Sequence, residues 1–137
     1  MRAEGRLPTD RRELGAIFAG GALGGSLRTG VSELGLTQPG HWPWTTFAVN
    51  LIGCFLLGYF VTRLQERLPI TAYRRPLLGT GICGGLTTFS TFQLELLRML
   101  DRDEVALAVL YGGASVGAGF LGVALGTALV RRARVTW

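Results

Sequence analysis

Residues 79–92 read Gly79-Thr80-Gly81-Ile82-Cys83-Gly84-Gly85-Leu86-Thr87-Thr88-Phe89-Ser90-Thr91-Phe92, inside a run without charge from Pro76 to Leu94. A helix that crosses the hydrocarbon of a bilayer needs about 20 mostly apolar residues, so the run is long enough to span. It nevertheless carries hydroxyls at Thr80, Thr87, Thr88, Ser90 and Thr91 beside the permissive Gly81, Gly84 and Gly85. Polar side chains and breakable backbone at membrane depth are costly unless they are buried in protein or line a pathway. The stretch therefore predicts a membrane-spanning helix broken near its middle, at the functional centre of a membrane transport protein.

Composition agrees with a membrane chain. Of 137 residues 48% are hydrophobic and only 17% charged, against about 25% charged in soluble proteins, and the mean hydropathy is +0.35. The net charge of +5 comes from fourteen basic residues, all arginine. They cluster at the ends of apolar runs rather than on one patch, which speaks against nucleic acid as a partner. Cys54 and Cys83 lie in apolar segments without zinc or redox spacing and read as small buried hydrophobes. The N-terminal stretch lacks a convincing cleavage site after its apolar run and is expected to stay on the mature protein.

Four uncharged runs, Leu14 to Leu27, Leu34 to Thr62, Pro76 to Leu94 and Val105 to Val130, give span candidates at about 12–31, 44–64, 76–95 and 105–130, and together they predict a single four-helix transmembrane domain over residues 1–137. The turn-like Gln38-Pro39-Gly40-His41 precedes the second span and sets Trp42 and Trp44 at the membrane interface, where amphipathic aromatics prefer to lie. Eleven arginines, in the N-terminal tail, the second loop and the C-terminal tail, then share one side, and only Arg28, Arg98 and Arg102 lie on the other. The positive-inside rule puts the termini in the cytoplasm. Glycines recur at helix-packing spacing in the pairs Gly20/Gly24, Gly21/Gly25, Gly81/Gly85, Gly113/Gly117 and Gly122/Gly126. Gly117, Gly119 and Gly122 also spell GxGxxG, but no strand pattern precedes them and helix packing is the better reading.

Asn50 falls mid-span, Thr45 and Thr46 near the start of the same span, and Tyr111 and Ser115 in the fourth. With the third-span hydroxyls these supply donors from three helices, enough to replace part of an anion's water shell. Phe89 and Phe92 add ring edges, the positive part of the aromatic quadrupole. Each residue alone has a plainer reading: Asn50 as interhelical glue, Ser and Thr bonded back to their own helix, the phenylalanines as lipid-facing. Glu95, at the end of the third span, and Arg28 read either as interfacial charges or as charges at a pore mouth.

Three motifs bring the chain to a family. Residues 20–28 (GGALGGSLR), 46–53 (TFAVNLIG) and 84–92 (GGLTTFSTF) resemble those of the Fluc (CrcB) family of small fluoride channels, and the resemblance covers about Ala19 to Val130. It implies an antiparallel, dual-topology homodimer of four-helix subunits in the bacterial inner membrane, with two fluoride pores at the subunit interface. The implied function is passive, selective export of fluoride to lower its cytoplasmic concentration. On position, Asn50, Phe89 and Phe92 match the family's pore asparagine and phenylalanine pair, and Ser90 and Thr91 its hydroxyl track. Tyr111 and Ser115 match pore positions of the fourth helix; Thr46 and Thr88 are expected to join the pore, and Arg28 and Glu95 its vestibules. Gly84 and Thr87 match the backbone carbonyls that hold a structural, non-transported sodium ion. Insertion in both orientations favours a weak charge bias, whereas the arginine count here is uneven.

Rival classes fit less well. A small four-helix multidrug exporter needs a carboxylate inside its first helix, and there is none between Glu13 and Glu33. A membrane assembly subunit leaves the Thr87–Phe92 cluster unexplained. Catalysis is not expected, because His41 is the only histidine and lies in a turn.

Overall fold

The computed structural model describes residues 11–33, 40–66 and 73–133. Arg2, Arg6, Arg67 and Arg134, counted in the charge bias, and Gln38 and Pro39 of the expected turn lie outside them. All regular structure among the described residues is helical. α1 spans Arg11–Ser32 and α2 spans Trp44–Glu66. A π-helical segment, Pro76–Cys83, runs directly into one α-helical turn, α3, Gly84–Leu86. α4 is Phe89–Leu100 and α5 is Val105–Arg132. The third stretch runs five residues past the expected limit of 95, so Glu95 stands inside α4 rather than at a helix end.

End charges suit the helix dipoles, with Glu13 in the first turn of α1 and Arg131 and Arg132 in the last turn of α5. Residues 44–65 and 105–132 are long and apolar enough to cross a membrane, and only 22% and 17% of their most apolar windows are buried within the chain. A soluble core helix of that hydropathy is covered by its own protein; these leave Val116 and Phe120 more than two-thirds exposed.

The helices pair out of sequence order. α1 lies along the π segment and α3, while α2 lies along α5. Both pairings are backbone against backbone. A Cβ added at Gly20 would fall on the Leu77 carbonyl oxygen and lie 2.9 Å from Gly81 Cα, and one at Gly85 would fall on the Gly21 carbonyl oxygen. In the second pair, a Cβ at Gly58 would meet the Val123 carbonyl oxygen, and one at Gly126 the Phe55 carbonyl oxygen, with Tyr59 N at 2.8 Å. With little hydrophobic drive between helices in lipid, such close approach supplies the attraction. Thr62 adds a hydroxyl bond of 3.2 Å to Thr127 across α2 and α5. Gly113 and Gly117 meet nothing within 4 Å, so that pair does not pack within the chain.

At one end, Met99, Ala108 and the fully buried Tyr111 form a core with Trp42, Phe47, Phe92, Leu96 and Leu107 around them. Trp42 stacks edge-on against Tyr111 at 5.3 Å and 84° rather than serving only as an interface anchor. The α4–α5 turn closes through the Glu104 N–H on the Met99 carbonyl at 2.9 Å, with Asp103 at φ 59°.

These approaches predict that Gly126→Val, which drives a side chain into the backbone of α2, lowers stability by about 1–3 kcal/mol. Gly15→Ala, at a position with open space, should stay within about 0.5 kcal/mol. Unfolding titrations in mixed micelles measure both.

Candidate functional site

The helix formed by the π segment and α3 stops at Leu86, because Thr87 (φ −74°, ψ 151°) and Thr88 (φ −141°, ψ 109°) are extended. Asn50 of α2 holds this interruption. The Thr88 N–H donates to Asn50 Oδ1 at 2.8 Å, and Asn50 Nδ2 donates to the Thr88 carbonyl at 3.2 Å. A backbone N–H can only donate, so the amide orientation follows from the pairing. Thr88 then caps α4: its hydroxyl accepts the Thr91 N–H at 3.2 Å and donates to the Thr91 hydroxyl at 2.9 Å. Thr87 turns back on the preceding helix, its N–H and hydroxyl both on the Cys83 carbonyl at 3.0 and 2.9 Å.

This has a consequence for two carbonyls. In an unbroken helix, Gly84 C=O accepts from Thr88 N–H and Thr87 C=O from Thr91 N–H. Here the first donor goes to Asn50 and the second to the Thr88 hydroxyl. The carbonyls of Gly84 and Thr87 are released from helical duty, and a hard cation prefers such oxygen ligands. Among the described residues no group of three His, Cys, Asp or Glu side chains is placed to hold a metal, so a cation here would rely on backbone oxygens.

Around the break lies an open-sided chamber of about 490 Å³, lined mainly by apolar groups. Asn50, Gly53, Cys54 and Leu57 form its α2 wall, Gly79, Thr80, Cys83 and Gly84 the wall opposite, and Thr87, Thr88, Phe89, Phe92, Ser115 and Val116 the remainder. The rings of Phe89 and Phe92 are 6.1 Å apart, tilted by 32°, and Phe92 lies 5.3 Å from Tyr111. Phe89 is 70% exposed. Ser115 lines the chamber, and its hydroxyl is buried within the chain, close to the Tyr111 hydroxyl.

A second polar knot lies beside the chamber. Glu95 of α4 accepts the Thr46 hydroxyl on Oε1 at 2.6 Å and the Tyr111 hydroxyl on Oε2 at 2.7 Å, tying α2, α4 and α5 together. In this arrangement both hydroxyl hydrogens face Glu95, so Thr46 and Tyr111 act through the carboxylate. The chamber thus gathers Asn50, Thr88, Phe89, Phe92 and Ser115 of the expected pore set with Gly84 and Thr87. Ser90 and Thr91 are exposed on α4 and are absent from its lining. Arg28 stands on α1, which contributes no wall. Sequence reasoning missed Gly53, where an added Cβ would strike the Thr87 methyl; its place three residues after Asn50, on one helix face, was the available signal.

Fold and chamber together define a small all-helical membrane protein whose polar groups converge on a break in its third stretch. Residues 15–127 match the family described as CrcB-like protein, Camphor Resistance (CrcB), and the chain belongs to that family. It is 56% identical over 126 residues to the fluoride-specific ion channel FluC 1 of Mycobacterium bovis, covering 92% of this chain and 96% of that relative. Identity to FluC 1 of Mycolicibacterium paratuberculosis is 60% over the same shares of both chains. The fluoride-specific ion channel FluC 2 of Nocardia farcinica is 42% identical over 132 residues, 96% of this chain and 94% of the relative.

Removing the Asn50 amide with Asn50→Ala strips the partners from a part-buried N–H and C=O and should cost about 1–3 kcal/mol. Thr88→Val, which deletes only the cap hydroxyl, should cost about 1 kcal/mol. Reversible unfolding of the two variants in detergent measures the difference.

Proposed function

We propose that the chain is a fluoride-selective channel that passively exports fluoride across the bacterial inner membrane. The observation that carries this reading is the chamber itself: an amide, a hydroxyl and two phenyl rings converge on a helix break, in a chain whose relatives are named as fluoride-specific ion channels. Asn50 keeps one N–H beyond the bond to Thr88, Ser115 offers its hydroxyl, and Phe89 and Phe92 present ring edges, which are positive. A small, strongly hydrated anion needs such donors close by, whereas a larger anion fills the same space with poorer contacts. No carboxylate lines the chamber; Glu95 stands beside it with an oxygen each on the Thr46 and Tyr111 hydroxyls. Hydrogen fluoride enters cells as a neutral acid and dissociates in neutral cytosol; a passive anion path driven by membrane potential lets the trapped fluoride leave.

In this reading the third stretch is one interrupted span of a four-helix, multi-pass subunit, residues 1–137 form a single domain, and two subunits assemble antiparallel, each inserted in one of the two orientations. The chamber is open-sided, and a second subunit would supply the missing wall. Gly84 and Thr87 would hold a structural sodium ion through the carbonyls that the break releases. Bound there, sodium would fasten the broken helices of two subunits and place fixed positive charge near the anion path. Ser90 and Thr91 would extend the hydroxyl track along the exposed face of α4, with Arg28 at a vestibule and Glu95 orienting Thr46 and Tyr111.

Efflux from liposomes loaded with fluoride or chloride, driven by a potassium gradient with valinomycin, tests the reading. Fast fluoride release with negligible chloride release is expected; no fluoride release from folded protein overturns it. Asn50→Ala and Phe89→Ile should each slow release by about tenfold, the equivalent of about 1.4 kcal/mol at the barrier, and normal flux in both would refute the pore assignment. Replacing all sodium by a large organic cation should lower flux or loosen the assembly; unchanged behaviour would remove Gly84 and Thr87 as ligands.

A further inference from the structure

Two thiols in the chamber wall stand outside the proposed anion-binding set. Cys54 and Cys83 are both free and line the same cavity, from α2 and the π segment. The two backbones run close there: a Cβ at Gly53, the residue before Cys54, would lie 3.9 Å from the Cys83 carbonyl oxygen. On its other side the Cys54 sulfur reaches α5, 3.4 Å from where a Cβ of Gly119 would stand. We propose that Cys54 and Cys83 form a two-thiol site for mercury(II), set in the wall of the chamber beside Asn50 and the phenylalanine pair.

The choice of metal follows from ligand number and charge. Thiolates select soft cations. Zinc takes four ligands, and the described residues offer no third His, Cys, Asp or Glu at the site. Copper(I) or silver(I) held by two thiolates leaves a net negative charge, which an apolar wall disfavours. Mercury(II) held by two thiolates is linear and neutral. It arrives as neutral mercury(II) chloride; two S–Hg bonds form, two S–H and two Hg–Cl bonds break, the protons and chlorides leave to water, and no electron is transferred. The bridged metal would stand in the chamber and obstruct it. That last consequence rests on the channel reading, whereas the binding does not.

Intact-mass measurement on the purified protein with mercury(II) chloride, paired with fluoride efflux from liposomes, tests both. The expected wild-type product carries one mercury per chain with two protons lost and no chloride. Cys54→Ser and Cys83→Ser should each carry mercury that retains its chloride, and the double variant none. Fluoride efflux of the wild type should be lost with mercury, return with excess dithiol, and be unaffected in the double variant. A wild type that holds one chloride-bearing mercury on each thiol, or none, overturns the site without need of any variant. A bridged protein that conducts at full rate overturns the obstruction. If mercury-free protein releases no fluoride, the channel reading fails, while the mass result still decides the thiol pair.

Discussion

The paired hydrogen bonds between the Asn50 amide and the backbone of Thr88 are the constraint on which the rest of this structure depends. The glycine-packed pairs, α1 with the π segment and α2 with α5, are each held by close backbone contact. Asn50 joins one pair to the other through polar atoms. By taking the Thr88 N–H out of the helix it sets where α3 ends, releases the Gly84 carbonyl, and leaves the Thr88 hydroxyl to start α4. In an apolar medium the alternative for those backbone groups is to go unpaired, at several kcal/mol each. The Thr88 N–H and C=O are thereby satisfied, while the carbonyls of Gly84 and Thr87 are left open.

Glu95 supplies the second fixture. α4 is held at its N-terminus by the cap at Thr88 and one to two turns later by the Thr46 and Tyr111 hydroxyls on the Glu95 carboxylate. With two points held on three helices, the orientation of α4 is set, and with it the positions of Phe89 and Phe92. A hydrogen bond of this kind contributes about 0.5–1.5 kcal/mol. Trp42, edge-on to Tyr111, keeps water from the side of this knot that faces the core.

Much of the fold was legible in the sequence. α1, α2 and α5 begin and end within one or two residues of 12–31, 44–64 and 105–130, although α1 runs through Arg28 and α2 through Arg63. The break was expected at Gly81, Gly84 and Gly85, whereas those glycines are helical and the extended residues are Thr87 and Thr88. Other features depend on which helix arrives opposite, and periodicity does not carry that information. Gly58 packs against Val123, which is not a small residue, so no glycine pair pointed to it; Gly113 and Gly117 had the spacing and meet nothing within the chain. Asn50 read either as an anion donor or as interhelical glue, and only the tertiary arrangement reveals that Thr88 takes two of its bonds. Glu95 read as a terminal charge because the helix was ended at the last uncharged residue, although α4 continues through Arg98.

The interleaved pairing has a bearing on biogenesis. As the chain leaves the ribosome, α1 emerges without its main partner, which follows only after α2 has been made, and α2 in turn waits for α5, the last of the described helices. Until then Gly58 and Phe55 face lipid or translocation machinery rather than α5. Each of these helices therefore waits for its partner, and the two pairings are complete only once α5 has been made. A truncation that removes α5 would leave α2 unclaimed as well, so this architecture offers few stable partial products and many clear substrates for membrane quality control.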